Sequence, residues 1–177
     1  MVSTYDSVFW APRENPELEK SYISYYSRVF DGCAIKTIHD CSFGSGNNTY
    51  PLEKMGYTVS GSDISENMIG LAREYMQKTG MRLPVSVCDF RELGRIIPEP
   101  VDCLISTGNS LPHVTNGEIR AFISDSRRYV KPNGYLYFDM RNWDRILDNR
   151  QRFYTYNLGI RDDSMNHLIQ VWDYDTD

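Results

Sequence analysis

The stretch Thr37-Ile38-His39-Asp40-Cys41-Ser42-Phe43-Gly44-Ser45-Gly46 decides the fold that we expect for this chain. It begins as a short β-branched strand, reaches an acid at Asp40 and then turns through Gly44 and Gly46. Glycines let the backbone approach a ligand closely, and a helix that starts after such a turn points free N–H groups at that ligand. The pattern predicts a nucleotide-type site at the end of a first parallel strand.

Strand and helix patterns alternate along the chain on both sides of this stretch. Because alternation of this kind places helices on both faces of a parallel sheet, we expect an α/β fold, a doubly wound and mostly parallel Rossmann-like sheet. Ser65 is predicted to cap one helix, whose apolar stripe is Ile64, Met68, Leu71, Ala72 and Tyr75. The predicted strands are Thr37 to Cys41, Tyr57 to Asp63, Pro84 to Val87, Val101 to Ser106 and Tyr135 to Met140. The predicted helices are Pro16 to Phe30, one from the glycine turn to Met55, Ser65 to Gly80, Gly117 to Val130 and Trp143 to Asn149.

The sequence after residue 150 has a different pattern. Two alternating segments, Arg152 to Leu158 and His167 to Tyr174, flank Asp162-Asp163 and predict an antiparallel hairpin. We therefore expect one domain over residues 1–150, with 1–36 as a helical cover. The hairpin over 151–177 would be part of a substrate lid or a partner interface.

Composition limits the classes of function. The chain has 177 residues and a formal net charge of −5, which argues against a broad electrostatic surface for nucleic acid or for an anionic membrane. The N-terminus lacks the pattern of a signal peptide, and no apolar run reaches membrane-spanning length. The four cysteines show no CxxC spacing, so we expect reduced thiols in a cytoplasmic protein and no metal site.

Two further acids stand at predicted strand ends. Asp63 ends the second strand, where a carboxylate can accept both hydroxyls of a ribose, although by itself it could also cap the following helix. Asp89 follows the third strand, where it would accept a hydrogen bond from an adenine amine. Phe90 would cover the ring or pack in the core, and the core role is favoured. Together with the glycine turn, these acids favour a ligand site.

Asp40 helps to choose between two cofactors for such a site. A dinucleotide site uses three glycines to admit a pyrophosphate, and an acid at the start of the turn would repel that group. The same acid suits a ligand that carries an ammonium group, directly or through a water molecule. The sequence therefore favours S-adenosylmethionine over a dinucleotide.

These residues resemble the successive motifs of the class I S-adenosylmethionine-dependent methyltransferases. The resemblance covers roughly residues 37–149 and tightens in two places, which are similar to the GNS...H and RNYD...IL motifs of the glycine N-methyltransferase and glycine/sarcosine methyltransferase group. Those two places are Thr107 to His113 and Asp139 to Leu147. The superfamily motifs are Asp40 to Gly46, Gly61 to Ser65, Cys88 to Phe90 and Val101 to Ile105.

The resemblance implies roles for individual residues. Arg141 would bind the carboxylate of an amino-acid acceptor, and Asn109 would orient the acceptor amine beside the sulfonium. A surface ion pair for Arg141 and a turn or cap role for Asn109 remain open. His113 would contact either ligand or be a structural histidine, and the structural role is favoured. The residues expected at the cofactor are Asp40, Ser42, Gly44, Gly46, Asp63, Ile64, Met68, Asp89, Phe90, Thr107 and Gly108.

The expected activity is transfer of a methyl group from S-adenosylmethionine to a small-molecule amine such as glycine or sarcosine. Two alternative functions stay open. The chain could methylate another small nucleophile, or it could be a regulatory module that binds the cofactor without catalysis. No general base stands out, so we expect the amine to lose its proton to water before it binds.

The chain departs from the family pattern in two ways. Ser42 replaces the first glycine of the turn, and the chain stops before the last sheet strands of the resembling enzymes. A truncation, a short natural relative and completion by a partner subunit stay open. An unfinished sheet exposes a pairing edge, which favours a homo-oligomer.

Overall fold

The computed structural model describes residues 15–161 and 164–175. Contacts divide the chain into two units, of which the larger ends at Met140 and the other begins at Arg141. We call the described residues 15–140 the larger unit, and the described residues from 141 onward the C-terminal unit. The division lies before the helix at Trp143, whereas the sequence suggested a boundary after residue 150. Residues 1–14 of the expected helical cover lie outside the described residues.

A five-stranded sheet in the order β3-β2-β1-β4-β5 forms the centre of the larger unit. Its neighbouring strands all pair in parallel, which confirms the predicted Rossmann-like architecture. The chain order reverses at β1, which lies between β2 and β4, and a crevice forms at the carboxyl ends of strands at such a switch point. The strands are β1 (Thr37–Asp40), β2 (Thr58–Asp63), β3 (Val85–Val87), β4 (Val101–Ser106) and β5 (Val130–Phe138).

The helices of the larger unit begin and end largely where the sequence predicts. The Ser65 hydroxyl accepts a hydrogen bond from the Met68 N–H at 3.4 Å at the start of one helix, which ends at Gly80 with φ 74°. That helix buries Ile69, Ala72 and Met76, of which Ala72 belongs to the predicted stripe. The stripe residues Met68, Leu71 and Tyr75 are half-buried. Ile64 stays 68% exposed because it precedes the helix. The helices are α1 (Pro16–Val29), α2 (Tyr50–Lys54), α3 (Glu66–Thr79) and α4 (Asn116–Ser126), and 3₁₀ segments cover Phe90–Arg95 and Leu111–His113.

The helix predicted directly after the glycine turn is shorter and begins later than expected. The Gly46 carbonyl accepts hydrogen bonds from the N–H groups of Thr49 and Tyr50, both at 2.9 Å, which close a turn first. Helix α2 then starts at Tyr50, with Pro51 in its first turn, where a missing N–H costs nothing. The glycine turn therefore leads into a loop.

Strand β5 begins earlier than predicted. Val130 pairs with Val101, and pairing resumes with Tyr135 opposite Cys103. The predicted turn Pro132-Asn133-Gly134 is thus an irregularity inside the strand. A Cβ atom on Gly134 would lie 2.7 Å from the Asp102 carbonyl oxygen, so the close approach of β4 requires glycine there.

Apolar side chains pack on both faces of the sheet. Cys103 and Ile105 point to one face, and Leu104 between them points to the other, as strand geometry requires. One cluster contains Tyr26, Phe30, Ile35, Ile38, Leu52, Val59, Cys103 and Ile105, and the other contains Cys41, Leu93, Leu104, Leu111 and Phe122. The free thiols are Cys33, Cys41, Cys88 and Cys103.

The C-terminal unit contains one helix and the predicted hairpin. Helix α5 (Trp143–Asn149) precedes the antiparallel strands β6 (Phe153–Arg161) and β7 (Ser164–Val171). Asp162-Asp163 lies outside the described residues. The Trp172 ring lies 5.7 Å from that of Trp143 and 4.7 Å from that of Tyr154, measured between centroids. Across residues 15–161 and 164–175, no helix has the length and apolar character to span a membrane.

Candidate functional site

A cleft of about 470 Å³ opens beside the carboxyl ends of the strands in the larger unit. Its volume lies within the range of small-molecule sites, about 300–1,000 Å³. The structure brings together at this cleft the predicted residues Ser42, Asp63, Ile64, Asp89, Phe90 and His113. The sequence reasoning did not select the other lining residues, which are Cys41, Arg91, Ser110, Val114 and Glu118.

Asp63 joins the glycine turn to the start of α3. One of its carboxylate oxygens accepts the Gly44 N–H at 2.8 Å, and the other accepts the Ser65 N–H at 2.8 Å. Each carboxylate oxygen has more than one acceptor direction, so these bonds leave acceptor capacity toward the cleft. This geometry fits the ribose hydroxyls of an adenosyl group, and the helix-cap role that the sequence left open is also present.

The two glycines of the turn have different surroundings. A Cβ atom on Gly44, whose φ is 56°, would meet nothing within 4 Å, so the backbone is open on that side. A Cβ atom on Gly46 would lie 2.5 Å from the Tyr50 ring and 2.7 Å from the Phe43 ring. Phe43 also covers Gly61, where a Cβ atom would lie 2.1 Å from its ring. Gly46 is therefore required for packing, whereas Gly44 leaves room for a ligand.

Asp40 is fully buried and does not line the cleft. Its carboxylate accepts hydrogen bonds from the Thr49 hydroxyl, from the Thr107 hydroxyl at 3.1 Å and from the Ser42 N–H at 2.9 Å. Burial raises the pKa of Asp40 to about 6, against the lowering effect of these donors. The carboxylate thus orders the loops around the cleft. Its predicted contact with a ligand ammonium stays a prediction.

The loop after β4 is bonded to the glycine turn. The Ser42 hydroxyl accepts the Thr107 N–H at 2.8 Å and lies 3.0 Å from the Ser106 hydroxyl. Gly108 and Asn109 follow with φ angles of 75° and 64°. Thr107, Gly108 and Asn109 are not among the lining residues of the cleft, nor is Met68. Their predicted roles stay predictions.

Asp89 is paired with Arg91, which was not predicted from the sequence. The Nε of Arg91 donates to both carboxylate oxygens of Asp89 at 3.0 Å, and the same guanidinium pairs with Glu118. The Arg91 hydrogen bond holds the pKa of Asp89 below its usual value. Because Arg91 occupies the carboxylate, an adenine amine would share Asp89 with Arg91. The predicted core role of Phe90 is visible as well, since its ring centroid lies 4.9 Å from that of Phe122.

Arg141 belongs to the C-terminal unit. Its guanidinium lies 5.0 Å from the centroid of the Trp172 ring, a distance typical of cation–π contacts. Its predicted contact with an acceptor carboxylate stays a prediction.

Comparison with known proteins identifies the class. The family described as "Methyltransferase domain" matches residues 38–134, more than half of the chain. The fold is similar to a crystal structure of an S-adenosylmethionine-dependent methyltransferase from Clostridium acetobutylicum, with a TM-score of 0.65, 18% identity, and coverage of 88% of this chain and 62% of that one. The chain belongs to the class I S-adenosylmethionine-dependent methyltransferases, whose cofactor is S-adenosylmethionine.

Two curated proteins show which methyltransferases the chain is similar to. The chain is 34% identical over 113 residues to a glycine/sarcosine N-methyltransferase of Halorhodospira halochloris, covering 63% of this chain and 42% of that protein. It is 29% identical over 125 residues to a glycine/sarcosine N-methyltransferase of Parasynechococcus marenigrum, covering 70% of this chain and 44% of that protein. The chain thus spans less than half the length of these two relatives.

Proposed function

We propose that this chain transfers the methyl group of S-adenosylmethionine to the amine of a small molecule, with glycine and sarcosine as the expected acceptors. The observation that carries the proposal is the position of Asp63, which lines the cleft and holds the glycine turn at its edge. The names of the relatives and the motif that contains Arg141 support an amino-acid acceptor.

Different residues of the cleft would contact different parts of the cofactor. Asp63 would accept the ribose hydroxyls, and the open side of Gly44 would admit the amino-acid part. Asp89 and Phe90 would contact the adenine. Ile64 would cover one side of the adenosyl group with apolar surface, because it lines the cleft and is 68% exposed.

When bound, the cofactor supplies an electrophilic methyl group that passes from the sulfonium sulfur to the lone pair of a neutral amine, and the sulfur becomes a neutral thioether. The contribution of the chain would be alignment, for which effective molarities correspond to roughly 7–11 kcal/mol of barrier lowering. Asn109 would orient the amine, and Arg141 would hold the carboxylate. The amine would lose its proton to water before it binds, as we expect from the sequence.

The direct test is a radiolabelled methyl-donor assay. We would incubate the chain with labelled S-adenosylmethionine and, separately, glycine, sarcosine, an amine without a carboxylate and a carboxylate without an amine. We expect label in the products of glycine or sarcosine alone. Label only in a compound without an amine would replace the proposed acceptor with another nucleophile.

A cofactor-binding module without catalysis is the second candidate function. Calorimetry with S-adenosylhomocysteine separates it from the first. Binding without transfer to any member of the panel would support the module, and the absence of both would contradict both proposals.

A further inference from the structure

Asp139 follows the last residue of β5 and has no role in the function proposed above. Its N–H donates to the Ser106 carbonyl at 3.2 Å, which extends the pairing of β5 with β4 beyond Phe138. Its half-buried carboxylate accepts the Asn109 N–H at 3.1 Å, and the Gly108 N–H also stabilises the charged carboxylate. The side chain therefore binds the backbone of the loop after β4.

The loop that Asp139 holds has an uncommon backbone. Gly108 and Asn109 both adopt positive φ angles, 75° and 64°. A left-handed conformation costs about 1–2 kcal/mol at most residues with a Cβ, and Asn adopts it more readily than most. The hydrogen bond from the Asn109 N–H to Asp139 supports it here. Successive N–H groups in such a turn form a concave site for an anion. Here the Asp139 carboxylate fills that site.

The other end of the same loop is held by the glycine turn. The Ser42 hydroxyl accepts the Thr107 N–H at 2.8 Å, and the Ser110 hydroxyl donates to the Thr107 carbonyl at 2.8 Å. The loop is thus bonded to the glycine turn at Thr107 and to the residue that follows β5 at Asn109. Removal of the Asp139 carboxylate would release only the second attachment.

We propose that Asp139 is a positioning residue for methyl transfer, which acts by holding the left-handed Gly108-Asn109 turn so that Asn109 presents its side chain to the acceptor. This inference rests on the proposed function. Asp139 acts through Asn109 and is not itself expected to contact the reacting atoms. Asp139 begins the second motif stretch, but the resemblance implied no role for it, and it is not among the lining residues of the cleft.

The surroundings of Asp139 predict how pH affects the turn. Burial raises the pKa of Asp139, while the two backbone N–H groups lower it. Tyr26 and Tyr137 interact with this carboxylate, and burial raises the pKa of both phenols, so they stay neutral near neutral pH. Asp40 interacts with the same tyrosines, and its pKa is about 6. A neutral Asp139 would accept the Asn109 N–H less strongly, because charge-assisted hydrogen bonds are stronger.

The kinetic test compares Asp139→Ala, Asp139→Asn and the control Asp125→Asn, which changes a half-exposed carboxylate on α4. We expect Asp139→Ala to lower kcat at least about tenfold while the KM for S-adenosylmethionine changes less than about threefold. Asp139→Asn keeps an acceptor oxygen of the same shape, so it should recover part of kcat. An unchanged kcat in Asp139→Ala, or no recovery in a folded Asp139→Asn, would overturn the proposal.

A second readout does not depend on activity. We would follow the amide resonances of Gly108 and Asn109 by NMR between about pH 4 and about pH 8, in the unmodified chain and in the same variants. In the unmodified chain and in Asp125→Asn, both amides should titrate with a midpoint above the usual Asp pKa. Asp139→Asn should lose this titration and keep only the part due to Asp40.

The two readouts separate the two proposals. If the amides titrate as expected but no acceptor is methylated, the proposed function fails and the contact between Asp139 and the turn stands. If Asp139→Asn leaves the titration unchanged, the positioning proposal fails whatever the activity.

Discussion

At the residue scale, Asp63 combines an observed structural role with the binding role that we propose for it. Its two oxygens already accept the Gly44 and Ser65 N–H groups, and the same carboxylate lines the cleft. A substitution at this position therefore affects the shape of the site and its affinity together.

We expect Asp63→Asn to weaken binding of S-adenosylhomocysteine by about 10- to 100-fold, because hydrogen bonds to a charged group contribute about 1.5–3 kcal/mol. The amide loses the negative charge and replaces one acceptor oxygen with a donor. Isothermal titration calorimetry measures the change, with Asp125→Asn as the control for the loss of one carboxylate. An unchanged Kd would remove Asp63 from the cofactor site.

If adenine binds as proposed, Arg91 competes with it for the carboxylate of Asp89. The Arg91 side chain is 41% exposed, and an ion pair of that kind contributes about 0.2–1 kcal/mol. If Asp89 accepts the adenine amine, Arg91→Ala should tighten S-adenosylhomocysteine binding by about two- to fivefold. Calorimetry beside Arg95→Ala, which lies outside the cleft lining, is the comparison. Weaker binding in Arg91→Ala would mean that Arg91 itself contacts the ligand.

Two of the three acids that the sequence places at strand ends line the cleft. Asp63 and Asp89 could be predicted because a parallel sheet brings the carboxyl ends of its strands to one edge. The positions of Arg91 and Glu118 at the cleft could not be predicted, because their ion pair depends on how α4 packs beside the segment after β3. The capping box of Thr115 and Glu118 is readable in the sequence, but it indicates only a helix start.

At the element scale, β1 and β2 share a buried polar contact. The ring nitrogens of His39 lie 2.8 Å from the Ser60 hydroxyl and 3.1 Å from the Ser62 hydroxyl. Burial lowers the pKa of His39 to about 4, so the folded chain keeps the ring neutral. Asp40 follows it directly, and its pKa is raised to about 6.

These two shifts have opposite effects on stability. Below the usual His pKa of 6.5 the unfolded chain takes up a proton that folded His39 refuses, so the His39 contribution falls as pH falls toward about 4. The folded-state pKa of Asp40 lies above its usual 3.8, so the Asp40 contribution rises as pH falls through about 6. Between about pH 4 and about pH 6, the changes in the His39 and Asp40 contributions to stability partly cancel.

His39→Gln should therefore reveal the Asp40 contribution. Relative to the unmodified chain, we expect the variant to gain about 2 kcal/mol in free energy of unfolding between about pH 7 and about pH 5. That difference corresponds to roughly 4–8 °C in Tm for a chain of this size. Thermal unfolding at both pH values measures it, and parallel pH profiles for the two proteins would contradict the assignment.

The glycines of β2 and α3 provide a matched pair. Gly61→Ala would place a Cβ atom 2.1 Å from the buried Phe43 ring, and overpacking of this kind costs about 1–3 kcal/mol. Gly70→Ala lies inside α3 with nothing within 4 Å, so it should stabilise the chain by about 0.5–1 kcal/mol. Urea unfolding measures both. Equal effects of the two substitutions would show that Phe43 does not fix the turn.

Elements with local signals were predictable. β1, β2, β3 and β4 begin and end within about one residue of the prediction, because turn residues flank them. The start of β5 was not predictable. Pro132-Asn133-Gly134 indicates a turn locally, whereas the position of this segment inside a strand depends on the pairing of β5 with β4. Helix α2 was overestimated because the contacts that shorten it involve the Gly46 carbonyl, which no side-chain pattern reports.

At the scale of the whole molecule, the residues that line the cleft all belong to the larger unit, whereas Arg141 belongs to the C-terminal unit. Cofactor binding and acceptor recognition should therefore separate by mutation. The division at residue 140 was not predictable from composition, since the motif resemblance runs across it. The expected homo-oligomer stays a prediction, which light scattering after size exclusion would test.

We expect Arg141→Ala to leave the Kd for S-adenosylhomocysteine within about twofold and to abolish methylation of acceptors that carry a carboxylate. A guanidinium binds a carboxylate through two parallel hydrogen bonds, so Arg141→Lys should recover only part of the activity. Arg145→Ala on α5 is the control. Full activity of Arg141→Ala on glycine would contradict the role implied by the family motif.

The burial of Asp40 has a consequence for anyone who wishes to redesign this scaffold. Its hydroxyl donors come from two segments that are distant in sequence, at Thr49 and Thr107, and the Ser42 N–H adds a third hydrogen bond. A chimera that exchanges only one of these two segments would remove one hydrogen bond to a buried charge, at a cost of about 1.5–3 kcal/mol. Loops taken from another scaffold must therefore be exchanged together, or Asp40 must be replaced at the same time.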